Sequence, residues 1–218
     1  MNENLLNIKD EDFMNTVDLH FHTDHSDGKN TPEEMLEAYK AKGFKKLSIT
    51  DHNVMSAYKN LKVPEGIELI KGIEFDCWEG YVFMHILGYN IDTENEKLKK
   101  LCAKNKLCAT NDIIRFINHR SAKKVIKTIK EAGGTAILAH PACCWSLNIK
   151  KTIQKLMKYG LDGIETNYYY RRHRAYTKFY TKEEIKQIGD ELGILQTGGS
   201  DSHCVEAIIK KENSGFSQ

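Results

Sequence analysis

The sequence predicts an α/β fold of the barrel type, a parallel sheet wrapped by helices, and three observations predict it. Runs rich in strand formers alternate with amphipathic helical patterns along the 218 residues, and such alternation implies a parallel sheet. Seven strand candidates can be counted, most followed by a helix. Every one delivers a histidine or a carboxylate at or near its carboxyl end, the face on which parallel α/β barrels gather their functional residues.

Each element has its own justification. "TVDLHF" (16–21) alternates apolar and polar residues as a strand does. "TPEEMLEAYKAKGF" (31–44) is a marked helix, with Thr31 as N-cap, Pro32 at the first position, acids in the first turn and Gly43 just past the end. "KLSIT" (46–50) and "IELIKGIEF" (67–75) are the second and third strands, with a short helical stretch between them. "YVFMHILGY" (81–89) follows so closely that "DCWEG" reads as a hairpin or tight turn. The lysine-rich stretch 92–120 has no legible order and reads as a small excursion between strands four and five, so 1–218 is expected to be one domain. "SAKKVIKTIKEAGG" (121–134) is a helix closed by glycines. "TAILAH" (135–140), "LDGIETN" (161–167) and "GILQTGGS" (193–200) complete the strands, with helical segments over 149–159 and 174–191.

Composition narrows the function. A formal net charge of +2 is too small to argue for bulk or stable duplex nucleic-acid binding. No apolar run approaches the ~20 residues of a membrane span, and the polar, acidic start does not read as a signal peptide. The six cysteines lie scattered without C-x-x-C spacing, which suggests reduced thiols and a cytoplasmic protein. There is no Walker loop, dinucleotide fingerprint or H-E-x-x-H.

The candidate ligands follow the strand order. His20 and His22 end strand one, and His52, with Asp51 before it, ends strand two. Glu74 is in strand three, His85 in strand four, His140 at the end of strand five, Glu165 near the end of strand six, and Asp201 and His203 after strand seven. Residues i and i+2 of a strand point the same way, so His20 and His22 can face one ion together, and Asp201 and His203 repeat the spacing. A lone buried histidine such as His85 is more often a hydrogen-bonded core residue. Asp18 and Asp51 suit an orienting role beside the histidines. Glu165 can equally be a structural carboxylate that bonds loop amides, His25 can face solvent, and His119 and His173 read as surface residues.

In combination, "DLHFHTDHSDG", "SITDHN", "KGIEF", "HILGYNID", "AILAHP", "DGIET" and "GGSDSH" resemble the motifs of the PHP (polymerase and histidinol phosphatase) family, and most closely its small phosphoesterase branch. The resemblance runs from about residue 16 to residue 204. It implies a distorted (β/α)7 barrel, similar to a TIM barrel, and two to three divalent ions, Zn, Mn or Fe. By resemblance a first ion takes His20, His22, Glu74 and Asp201, and a second takes Asp27, His52 and His203. A third takes His85 and His140, with Glu74 bridging back to the first. Asp27 stands where histidinol-phosphatase-like members tend to carry histidine. The larger nucleotide-type relatives have a long helical insertion between the fourth and fifth strands, where only residues 91 to 134 lie here.

The chemistry these readings imply is metal-dependent hydrolysis of a small phosphorylated substrate, a nucleotide or short oligonucleotide. Two close ions can bridge a hydroxide that attacks phosphorus in line, and the ions stabilise the equatorial oxygens. His22 and Asp201 would carry that chemistry, with His25 as candidate proton donor to the leaving group. In "YYYRRHR" (168–174), Arg171 and Arg172 could grip phosphate in a forked geometry and the tyrosines could stack on a base. The competing readings are a histidinol-phosphatase-type monoesterase, an amidohydrolase-type C–N hydrolase and a non-catalytic metal-binding module.

Overall fold

The computed structural model describes residues 3–168, 170 and 179–208. Its strands fall into two sheets. β1 (Val17–Phe21), β2 (Lys46–Ile49) and β3 (Glu68–Leu69) pair in that order, all parallel. β4 (Gly72–Glu79), β5 (Val82–Tyr89), β6 (Thr135–Leu138), β7 (Gly163–Tyr168) and β8 (Leu195–Gly199) form the second sheet in sequence order. Here β5 runs antiparallel to both β4 and β6, and β6, β7 and β8 are parallel.

Two expectations change. The predicted third strand, 67–75, is broken, because β3 pairs with β2 while β4 pairs with β5. The sheet is not wholly parallel, because a two-residue loop returns the chain directly. Gly80 (φ +60°) supplies the positive φ that such a loop needs at its first position. Strand β4 runs on through most of the predicted "DCWEG" turn.

The ladder does not close into one continuous barrel. The two sheets meet instead at two seams held by isolated bridges, Phe21↔Ser202 and His52↔Glu74. At the first, the His22 N–H donates to the Ser202 carbonyl at 2.9 Å and the Asp201 N–H to the His20 carbonyl at 2.7 Å. At the second, the Asn53 N–H donates to the Glu74 carbonyl at 2.8 Å.

The helices are α1 (Glu3–Leu6), α2 (Pro32–Ala41), α3 (Glu96–Leu101), α4 (Lys106–Thr110), α5 (Asp112–Ile117), α6 (Ala122–Glu131), α7 (Ile149–Met157) and α8 (Lys182–Leu192). The stretch 92–120 is thus three short helices. Met35, Leu36 and Tyr39 of α2 pack on Phe21, Leu47 and Ile49. Val125, Ile126 and Ile129 of α6, with Ile149, Ile153 and Leu156 of α7, pack on Ile73, Phe75, Met84, Ile86 and Leu138. A third cluster draws Leu19, Leu87, Tyr89, Ile137 and Ala139 from both sheets. Thr31 caps α2 as predicted, and its capping box with Glu34 is complete. Among the described residues, no helix is long and apolar enough to cross a membrane.

Candidate metal centre

The register of β1 against β2 slips between Asp18 and Phe21. Before the slip, Val17 and Leu19 join the cluster shared by both sheets, and after it Phe21 packs outward against α2. An irregularity of this kind re-aims the side chains that follow it. It turns His20 and His22, both fully buried, toward the acids of the other strand ends.

Glu74 lies at the middle of what they meet. Its Oε1 is 3.0 Å from His85 Nδ1 and 3.2 Å from His140 Nε2. Its Oε2 is 3.4 Å from His20 Nε2, 3.3 Å from His22 Nε2 and 3.3 Å from His52 Nδ1. Asp201 Oδ1 approaches His22 Nε2 at 3.0 Å and His20 Nε2 at 3.5 Å. Asp27 lies 3.5 Å from His22 Nδ1, 3.5 Å from His203 Nε2 and 3.6 Å from His52 Nε2. All nine residues named above as ligands are therefore brought together. Four groupings could each hold a cation: His22, Asp27, His52 and His203; His20, His22 and Asp201; His20, Glu74 and His140; and His52, Asp76 and His85.

The donor set fits cations on a physical test. Five imidazole nitrogens here are buried without a hydrogen-bond partner: His20 Nε2, His22 Nδ1 and Nε2, His85 Nε2 and His140 Nδ1. Several approach carboxylate oxygens at 3.0–3.5 Å but lack hydrogen-bond alignment. Buried polar atoms left in that state are costly, and a lone pair on neutral imidazole is a metal donor.

The charges agree. Burial, with His203 and His52 beside it, pushes His22 down to about 4 and keeps it neutral. Burial opposes ionisation of Glu74 and Asp27, but the surrounding histidines outweigh it and hold both carboxyls well below their usual range. Burial likewise opposes a charge on His203, yet Asp27 and Asp201 carry it up to about 9.

The orienting residues are now visible. Glu165 takes His20 Nδ1 at 3.0 Å and accepts the His140 amide at 2.9 Å, so it fixes one ring and one loop. Asp51 accepts the Thr23 amide and the hydroxyls of Thr23 and Ser26, bracing the loop that carries Asp27. Asp18 accepts the His20 and Ser200 amides and the Tyr39 hydroxyl. Asp18 and Asp51 thus act through backbone and hydroxyl groups rather than histidine rings. His140 and Asp201 sit at strand ends with φ of +28° and +53°, a region in which non-glycine residues are strained and which recurs at functional sites.

The remaining predicted site residues fare differently. His25 is half-buried, bonds Ser56 Oγ at 2.7 Å and lines a cavity of about 740 Å³ with Ser56, Lys104 and Lys106. Arg171 and Arg172 lie outside the described residues. Tyr168 and Tyr170 are not available for base stacking: both are buried, the Tyr168 hydroxyl donates to Asp201 Oδ2 at 2.7 Å, and the Tyr170 hydroxyl accepts the Ala142 amide.

Two residues of the centre escaped the sequence reading. Asp76, fully buried, accepts Arg115 Nε and NH2 at 2.9 Å each and the Asn53 amide, and lies 3.2 Å from His85 Nε2. Arg115 also reaches His52 Nδ1 at 2.8 Å and Asp27 Oδ2 at 3.4 Å. The signal for Asp76 was its E-x-D spacing from Glu74, the same-face spacing already noted for H-x-H. Arg115 gave none, since it lies on α5 in the stretch with no legible order.

Buried histidines and carboxylates converging from the strand ends of an α/β fold define a metal-dependent hydrolase. The PHP domain model matches residues 18–214, and the chain belongs to the PHP family. It is 23% identical to the phosphoribosyl 1,2-cyclic phosphate 1,2-diphosphodiesterase of Eggerthella lenta, over 85% of this chain and 93% of that protein. A shorter match, 36% of this chain and 29% of the relative, is 33% identical to the 3′,5′-nucleoside bisphosphate phosphatase of Chromobacterium violaceum. Among solved structures the fold is similar to that of a Bifidobacterium adolescentis protein described as a metal-dependent phosphoesterase. The TM-score is 0.68 at 19% identity, covering 87% of this chain and 88% of that one.

Proposed function

We propose that this PHP-family phosphoesterase hydrolyses a small phosphorylated substrate of the nucleotide or short-oligonucleotide class. Two to three divalent ions would be held by His20, His22, Asp27, His52, Glu74, His85, His140, Asp201 and His203. The observation that carries the reading is the set of five buried, unpartnered imidazole nitrogens on four histidines, His20, His22, His85 and His140, that all reach Glu74. Zn, Mn and Fe all suit nitrogen and oxygen donors without sulfur. Divalent ions in such a site supply a water of lowered pKa and charge stabilisation of the phosphoryl oxygens. The protein's own residues do the rest. Glu165 sets the His20 ring, Tyr168 orients Asp201, and Asp51 fixes the loop of Asp27. Buried Arg115 adds a fixed positive charge beside Asp27 and His52. His25, steadied by Ser56, is the candidate proton donor to the leaving group.

Of the two relatives reported above, one acts, by its name, on a nucleoside bisphosphate, which favours the nucleotide class, and the other on a phosphoribosyl cyclic phosphate, a sugar phosphate without a base. We also read residues 1–218 as one domain and the two sheets as halves of one distorted seven-stranded barrel. Counting β3 and β4 as one interrupted strand gives that number, and the two bridged seams support it.

The test is a panel of phosphomonoesters, nucleotides and short RNAs assayed with Mn²⁺ or Zn²⁺. Asp201→Asn and His22→Ala should each nearly abolish turnover while circular dichroism shows an intact fold. A fully metal-loaded protein that cleaves nothing in the panel would sink the assignment.

A further inference from the structure

We propose that an aromatic shelf of Trp78, Phe83 and Phe116, next to His85, binds the base of a nucleoside phosphate whose phosphate lies at the metal centre. This narrows the substrate class of the proposed phosphoesterase and rests on that reading. The placement follows from the pleat of the β4–β5 hairpin. Side chains two apart share a face, so Glu74, Asp76 and Trp78 point one way, and Leu87, His85 and Phe83 stand opposite them in register. The pair Asp76↔His85 belongs to the centre. The next same-face pair, Trp78↔Phe83, lies about 7 Å further along the strands and is wholly aromatic.

The rings are continuous from centre to shelf. Phe83 stands edge-on to His85 with centroids 5.2 Å apart, and Trp78 is 5.2 Å from Phe83. Phe116 meets Trp78 at 4.6 Å, edge to face. Helix α5 is tied here by the Trp78 indole N–H, which donates to the Phe116 carbonyl at 3.2 Å. One turn of α5 thus sends Arg115 into the centre, onto Asp76 and His52, and its neighbour Phe116 onto the shelf.

The shelf is open, which a purely packing role would not favour. Phe116 is 55% exposed, and Trp78 and Phe83 are only half-buried. Among the described residues, the ring stacked on the indole is the exposed imidazole of His119, lying nearly parallel at 10° with centroids 5.0 Å apart. A flat heteroaromatic ring on that face is the geometry a base would adopt, and the base takes the place of His119. Stacking on aromatic side chains tolerates any base, so the shelf selects nucleosides over base-free phosphates without choosing among bases.

Two measurements test this. The chain has two tryptophans, and in a Trp145→Phe background Trp78 is the sole indole. Adenosine, which has no phosphate to hydrolyse, should quench its fluorescence saturably, ribose should not, and Phe116→Ala should weaken the quenching severalfold. In the metal-loaded enzyme, the ratio of kcat/KM for adenosine 5′-monophosphate to that for ribose 5-phosphate should fall about tenfold in Phe116→Ala, within the range measured for lost base stacking. No saturable quenching, or an unchanged ratio, overturns the shelf. Cleavage of neither ester, nor of anything in the wider panel above, by the wild type would instead overturn the phosphoesterase reading, and the quenching titration would still decide the shelf by itself.

Discussion

Glu74 is the residue around which the other ligands are arranged, because its two oxygens face different histidine groups, His85 and His140 on one side and His20, His22 and His52 on the other. Asp76, one same-face step along β4, has a different partner. Its carboxylate is neutralised by the buried guanidinium of Arg115. Removing one partner of such a pair leaves an uncompensated buried charge, so Arg115→Met should cost about 3–5 kcal/mol. Adding Asp76→Asn should restore part of that, a coupling that a double-mutant cycle in urea measures. Acid provides a second check. Burial opposes ionisation of Asp76, but His52, His85 and Arg115 outweigh it and hold the carboxyl well below the usual range. A depressed folded value contributes stability above the unfolded carboxyl value of about 4, and that contribution is lost as the pH falls through the folded value. Unfolding free energy should therefore drop as the pH falls below about 5, and less steeply in Asp76→Asn. An identical drop in both proteins would show that Asp76 takes no part. At this scale the sequence was readable wherever a residue sat at a strand end in a familiar pattern. Asp76 was misread because it fell in an apparent turn, and Arg115 because its importance comes only from where α5 docks.

At the scale of elements, local signals were reliable and tertiary ones were not. The cap of α2 is written in Thr31, Pro32 and Glu34, and all three act as their types require. The break between β3 and β4 has only a faint local mark, a slip in the alternation of "IELIKGIEF" where Leu69 and Ile70 stand side by side. It exists because the first half finds β2 and the second half finds β5. The seam between β1 and β8 has a sharper sequence mark in Gly199. A Cβ there would lie 2.3 Å from His20 Cβ and 2.5 Å from its amide nitrogen, so β8 can lie against β1 only without a side chain at this point. Gly199→Ala should push β1 away. We expect a lower Tm together with weaker metal binding, followed by calorimetry and by metal content after dialysis. A variant of normal metal affinity would show that β1 and β8 tolerate separation.

For the whole molecule, the α/β class and the convergence of strand ends were legible, while the division into two sheets was not, because it depends on which edges find hydrogen bonds. That division gives metal removal a testable effect. Anything that binds only the folded chain stabilises it, by about 4 kcal/mol at a thousandfold excess over Kd, so chelation should lower Tm and restored Mn²⁺ or Zn²⁺ should raise it. An unchanged Tm after complete removal would argue against structural coupling. The location of the effect follows from the seams. Asp201 and His203 face His20 and His22 across one, and Glu74 faces His52 across the other. In hydrogen exchange, chelation should therefore release the amides of His22, Asp201 and Asn53 more than those along the β4–β5 ladder. The same geometry bears on how the chain matures. Neither sheet alone carries the full set of ligands, so a chain whose halves have formed but not joined offers only fragments of the site. Cation capture would then come last in folding and would discriminate, in the cell, between finished molecules and those still ajar.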